Sequence, residues 1–227
     1  MNDATDLRKE NTELRKKLMQ AEIQASMASQ RNRTQERISN EYLDYSASLI
    51  WTGQIDPAVC KRWLEDLRKK YEFVEGTVMT LDGPTPRADI RNNTRMEIRD
   101  QELADQLWSE ISGAAWGPKR VLDYYYSGVS DYIRVYRYEP GQYFKPHLDH
   151  SWRKNKNERT LATVLIYLNG GYEGGETVFP DYGRVIQPEA GLFLGFQHPL
   201  LHEGKEVTKG EKYVLRFDVL YKRLSCA

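Results

Sequence analysis

Of the four histidines in the chain, His147 stands two residues before Asp149, in the segment QYFKPHLDH. In extended backbone, residues i and i+2 point to the same side, so an imidazole and a carboxylate at this spacing can share one ion. A third ligand from a distant strand would complete a face of two histidines and one carboxylate. Such a face leaves positions open on iron(II) for dioxygen and a chelating cosubstrate. Taken alone, a His-x-Asp pair is most often a polar surface turn, so the reading depends on what accompanies it.

His202 follows the apolar run GLFLGF and opens the segment HEGKEVTKGEKYVLRFD. Ten residues later, Lys212 begins a stretch of clean alternation. Tyr213, Leu215, Phe217 and Val219 fall on one face, and Lys212, Val214, Arg216 and Asp218 on the other. Two cations on one face of an apolar strand are costly to bury without an anionic partner. A dicarboxylate inside a barrel would serve, as would a salt bridge to a carboxylate such as Asp218, or exposure at a sheet edge. Four residues of strand span roughly 13 Å, so Lys212 and Arg216 cannot both grip one carboxylate.

Four motifs in order, YEPGQYFKPHLDH, TVLIYLN, GGETVFPDYG and HEGKEVTKGEKYVLR, resemble the prolyl 4-hydroxylase-like branch of the iron(II)- and 2-oxoglutarate-dependent dioxygenases. The resemblance covers roughly residues 45–223 and is strongest from Tyr132 onward. It implies that His147, Asp149 and His202 are the iron ligands, and that Lys212 grips the far (C5) carboxylate of 2-oxoglutarate. It also implies that Tyr167 hydrogen-bonds that carboxylate and that Tyr138 lines its pocket, each with the alternative of a core aromatic satisfied elsewhere. Arg216 departs from the pattern. It could bind the cosubstrate in place of Lys212, or contact its C1 end or the substrate. His198 lies four residues before His202, but the HEG context and the step to Lys212 favour His202. His150 and His198 are expected to hydrogen-bond beside the metal instead of ligating it. The cofactors implied are iron(II), 2-oxoglutarate and O2, with ascorbate as a further reductant to consider.

Holding such a face requires a strand framework. YIRVYRY, TLATVLIYLN, ETVFP, GLFLGF and KYVLRFDVLY are rich in β-branched and aromatic residues and are separated by turns such as EPGQ, NGGYEGG and PEAG. The expected fold is α+β, a double-stranded β-helix (jelly-roll) core over residues 121–223 braced by helices. Residues 41–115 form the helical half of a domain spanning 41–227. DPAVCKRWLEDLRKKYEF begins with a helix start at Asp56-Pro57, and DQELADQLWSEISG stops near Gly113. Between them LDGPTPRADIRNNTR reads as a loop, either a plain connection or a flap near a substrate mouth. Residues 1–40 read as one polar helix with Leu7, Leu14 and Ala21, and Asn11, Leu18 and Ala25, on a heptad seam. It is either a short coiled coil or a solitary solvated helix.

Basic and acidic residues balance at 33 each, which gives no reason to expect a nucleic-acid partner. The polar N-terminus and the lack of a long apolar run speak against a signal peptide and a membrane span, and two cysteines suit a reducing compartment, so the cytoplasm is expected. The expected function is hydroxylation of a C–H bond on a protein side chain, with release of succinate and CO2. The alternatives are a small-molecule oxygenase acting on an amino acid or natural product, and a non-catalytic jelly-roll assembly module. If the seam forms a homodimer, removing residues 1–38 should alter the oligomeric state while leaving cosubstrate turnover largely unchanged. Light scattering that finds the same mass with and without the segment would remove the coiled-coil reading.

Overall fold

The longer strands of a jelly roll must each bury at least one face, and the computed structural model, which describes residues 49–80, 83–111 and 117–223, shows how the chain achieves this. The helix and heptad seam expected over residues 1–40 lie outside the described residues. The first half runs β1 (Ile50–Gln54), α1 (Pro57–Lys70), β2 (Val74–Glu75), β3 (Thr77–Thr80), β4 (Gly83–Pro86), β5 (Thr94–Arg99), α2 (Gln101–Ile111), β6 (Arg120–Val121) and β7 (Tyr124–Val129). The second half runs β8 (Tyr132–Tyr138), β9 (Phe144–His147), β10 (Arg153–Asn155), β11 (Glu158–Tyr167), β12 (Glu173–Gly174), β13 (Thr177–Phe179), β14 (Arg184–Ile186), β15 (Leu192–Gln197), β16 (His202–Gly204), β17 (Val207–Lys209) and β18 (Lys212–Arg223).

Both expected helices form, the first with the expected start at Asp56-Pro57. The Asp56 carboxylate accepts the Ala58 amide at 2.8 Å, Pro57 opens α1, and Arg68, Lys69 and Lys70 complement the dipole in its last turn. The Asp100 carboxylate accepts the Leu103 amide at the start of α2. Each helix buries one stripe: Cys60, Trp63 and Leu67 on α1, and Ala104, Leu107 and Ile111 on α2.

A large sheet carries the order β1-β15-β11-β18-β8-β5-β2, and a smaller one the order β14-β13-β16-β9. In both, the jelly-roll strands pair antiparallel. Residues of the two sheets, among them Tyr136, Tyr167, Phe179, Leu194, Phe196 and Val214, pack into one apolar cluster. A second cluster joins the outer face of the large sheet, through Leu215, Phe217 and Val219, to Trp63, Leu67, Leu107 and Ile111 of the helices. Strand β18 is therefore covered on both faces, and every residue from Lys212 to Tyr221 is buried. This excludes the sheet-edge alternative for its two cations.

The half between residues 41 and 115 contains more strand than the helical reading expected. In the segment read as a loop, β4 pairs with β3 in a hairpin, and Thr94 begins β5, which pairs with β8 from Thr94↔Arg137 to Arg99↔Tyr132. β1 pairs with β15, more than a hundred residues away in sequence. β1 and β5 have distant partners, and the β3–β4 hairpin is built largely from turn-forming residues, so local turn chemistry dominated the sequence signal. Among the described residues no helix is long and apolar enough to cross a membrane.

Phe217 joins β18 to the helical layer through an edge contact with Trp108, at 5.6 Å between ring centroids. Phe217→Ala should destabilise the fold by about 3–5 kcal/mol, read by chemical denaturation, since the side chain is fully buried. A loss below about 1 kcal/mol would contradict this packing role.

Candidate functional site

β9 and β16 are neighbours, and their register sets His147 directly opposite His202. Asp149 follows β9 by two residues. Donor atoms of His147, Asp149 and His202 all lie within 4.8 Å of one another, a spacing one ion can bridge. Each imidazole is oriented by its own chain. His147 Nδ1 lies 2.8 Å from the Lys145 carbonyl, and His202 Nδ1 lies 3.0 Å from the Leu200 carbonyl. A carbonyl can only accept, so the proton sits on Nδ1 in each ring and the Nε2 lone pair is left for a metal.

The protonation states also suit a metal. Burial, then the neighbouring His202, pulls the His147 pKa down to about 3, and burial lowers His202 as well. Both rings are neutral near pH 7. Burial would raise Asp149, but the Arg216 charge, with help from the histidines, holds its carboxyl well below the usual range. Two neutral imidazoles and a carboxylate are a donor set that iron(II) accepts.

A cavity beside the triad is lined by Tyr136, Tyr138, Thr177, Lys212 and Arg216 as well as both histidines. The two cations of β18 have different surroundings. Arg216 donates to Asp149 Oδ1 at 2.5 Å and to Asp218 Oδ1 at 2.8 and 3.0 Å, so the salt-bridge alternative describes it. Lys212 is 3% exposed, and its Nζ donates to the Gly175 carbonyl at 2.5 Å and lies 5.1 Å from the Tyr138 ring centroid and 5.3 Å from that of Tyr167. Among the described residues no carboxylate lies within salt-bridge distance of it, and burial lowers its pKa to about 7. An anion in this cavity would find an amine short of a counter-charge.

The other expected residues fall as follows. Tyr138 lines the cavity, while Tyr167 stands behind it, its hydroxyl 2.7 Å from Thr177 Oγ1. His150 is exposed. His198 is buried with Nε2 3.7 Å from Asp218 Oδ1, off the triad. Sequence reasoning did not single out Thr177, Thr163 or Phe144. Thr177 lies inside GGETVFP and could have been weighed there. Thr163, which donates to Asp149 Oδ2 at 2.6 Å, is an ordinary β-former in the sequence. Phe144 stacks on His147 with centroids 3.5 Å apart. Gly175 was read as a turn residue only. At φ +72° its carbonyl faces Lys212, and a Cβ there would come within 3.0 Å of the Lys212 stem.

Comparison with known proteins agrees with this geometry. Residues 133–217 match the family model of the 2OG-Fe(II) oxygenase superfamily. A candidate prolyl 4-hydroxylase of Acanthamoeba polyphaga mimivirus is 36% identical over 192 residues, covering 75% of this chain and 72% of the relative. Prolyl 4-hydroxylase 1 of Arabidopsis thaliana is 43% identical over 188 residues, covering 70% of this chain and 63% of its own length. Among solved structures, the viral collagen prolyl hydroxylase of Paramecium Bursaria Chlorella virus-1, in its 2OG complex, shares the fold. Its TM-score is 0.53 at 19% identity, with 78% of this chain and 98% of that one covered. A Trichoplax adhaerens prolyl hydroxylase, in complex with a hypoxia inducible factor peptide fragment, aligns with a TM-score of 0.55 at 18% identity, covering 87% and 92%. The chain belongs to the prolyl 4-hydroxylase-like branch of the iron(II)- and 2-oxoglutarate-dependent oxygenases.

Proposed function

We propose that this enzyme hydroxylates a prolyl residue within a peptide or protein, with His147, Asp149 and His202 holding iron(II) and Lys212 anchoring 2-oxoglutarate. The observation that carries the cosubstrate assignment is the division between the two cations of β18. Arg216 is neutralised by Asp149 and Asp218, whereas Lys212, in a cavity beside the triad, has no carboxylate partner among the described residues. Iron, when bound, supplies dioxygen activation coupled to decarboxylation of the cosubstrate. The protein supplies orientation. Lys212 and the Tyr138–Thr177 wall would receive the distal carboxylate, while the neutral Nε2 atoms and Asp149 would fix the metal.

A prolyl side chain is favoured over a free small molecule by the relatives, which are named as prolyl 4-hydroxylases and of which one structure holds a peptide. The non-catalytic alternative gains no support from a chain that keeps all three metal donors and a buried amine beside them. The test is incubation with iron(II), 2-oxoglutarate and a library of proline-containing peptides, read by mass spectrometry. The expected result is one added oxygen atom on proline, in step with succinate. Robust succinate release with oxygen added only to free amino acids would move the substrate to the small-molecule class.

The cosubstrate assignment carries its own pH dependence. The amine of Lys212 is half-protonated near pH 7, and a bound dianion favours the ammonium form. Facing it are the Glu176 carboxylate and the rings of Tyr138 and Tyr167. Above pH 7, binding must therefore take up a proton, and affinity should fall by about tenfold per pH unit until the pKa of the complex is reached. Below pH 7 it should level off. Lys212→Ala should weaken 2-oxoglutarate binding by roughly ten- to a hundredfold and flatten the profile. Titration of the manganese-loaded protein between pH 6 and 9 measures both. A flat wild-type profile would speak against the lysine.

A further inference from the structure

We infer that Arg216 is a positioning residue: gripped from behind by Asp218, it holds Oδ1 of Asp149 so that only Oδ2 is offered to the metal. This rests on reading the triad as iron ligands, and it assigns Arg216 a role other than cosubstrate binding.

Three of the five N–H directions of the Arg216 guanidinium are committed. Nε and Nη2 both reach Asp218 Oδ1, and Nη1 reaches Asp149 Oδ1. Asp218 is itself fixed, with Arg134 bonded to its other oxygen. Arg134, Asp218, Arg216 and Asp149 thus alternate in sign and sum to zero. Swinging Arg216 toward a ligand would leave buried Asp149 without its cationic partner and Asp218 with Arg134 alone, a cost larger than one new contact returns.

The two oxygens of Asp149 are thereby made unequal. Oδ1 is taken by a charged donor. Among the described residues, Oδ2 accepts only the Thr163 hydroxyl, and it faces His202, whose Nε2 is 3.9 Å away. A carboxylate free to rotate can chelate one ion through both oxygens. Held by Arg216, Asp149 can give one, so three protein donors leave three positions on a six-coordinate ion. A bidentate cosubstrate and dioxygen together need three.

The experiment measures Mn(II) binding by calorimetry, with no cosubstrate present, and records the d–d spectrum of the Co(II)-loaded protein. Arg216→Lys keeps the buried charge but lacks the fork. The double variant Arg216→Gln with Asp218→Asn keeps the charges in equal number. Both should stay folded, bind Mn(II) ten- to a hundredfold more weakly, and alter the Co(II) spectrum. Phe217→Ala loosens the same strand from its opposite face and should change neither readout. Three results would overturn the inference. The first is unchanged metal affinity with weakened 2-oxoglutarate binding, which makes Arg216 a cosubstrate ligand. The second is tighter metal binding in the variants, which makes it a competitor for Asp149. The third is an equal loss in Phe217→Ala, which makes the effect one of general packing. None of these readouts involves a peptide, so the outcome is independent of whether proline is the substrate.

Discussion

Taking a charged group out of water costs on the order of several kcal/mol unless a partner of opposite sign goes with it. This jelly roll encloses Asp149, Asp218, Arg216, Arg91 and Lys212, with Arg134 nearly buried beside them. Four of the six neutralise one another in the alternating row Arg134–Asp218–Arg216–Asp149. Of the other two, Arg91 donates to Asn93 Oδ1 and lies over the rings of Tyr136 and Phe144, and Lys212 is left with a backbone carbonyl and two aromatic rings. That imbalance defines what the cavity is built to accept. A site with one amine lacking a counter-charge, next to two imidazoles and a carboxylate, selects a ligand that brings negative charge to one end and donor atoms for a metal to the other.

Strand geometry produces this distribution. On β18 the period of two sends Tyr213, Leu215, Phe217 and Val219 to the helices and Lys212, Val214, Arg216 and Asp218 to the interior. A slip of one residue would exchange the faces and bury every charge among aromatic side chains. The same register sets Thr163 opposite Asp218 on β11, so one hydroxyl can reach both carboxylates. In the smaller sheet, the pairing of β9 with β16 places His147 and His202, two candidate metal donors, side by side although they are 55 residues apart in sequence. The apolar layer and the charged interior are two consequences of one strand pairing.

Much of this was legible in the sequence, because alternation and histidine spacing are local signals. The five strand segments from YIRVYRY onward and both helices emerge from them. The set His147, Asp149 and His202 could be named because four motifs in order resemble those of a known family; the His-x-Asp pair alone was a weak signal. What stayed hidden depends on distant pairing. The strands between residues 74 and 99 are short and carry turn-forming residues; β2 and β5 join the large sheet through β8, while β3 and β4 form a small hairpin of their own. The fate of Arg216 could not be read either. Its salt bridge to Asp218 was one of several alternatives, and nothing local marks Asp149 as its second partner. For Tyr167, read either as a cosubstrate contact or as a core aromatic satisfied elsewhere, the contact of its hydroxyl with Thr177 is set by the fit of two sheets and has no local signal.

The claim at the centre of this account is that two cations on one strand face do different work, one for the cosubstrate and one for the metal ligand. A crystal structure of the protein with Mn(II) and 2-oxoglutarate tests it most directly. The expected result has the ion about 2.0–2.3 Å from His147 Nε2, His202 Nε2 and Asp149 Oδ2. The distal carboxylate should lie in hydrogen-bonding reach of Lys212, with Arg216 still on Asp149 and Asp218. A distal carboxylate bound to Arg216, or a metal chelated by both oxygens of Asp149, would contradict it.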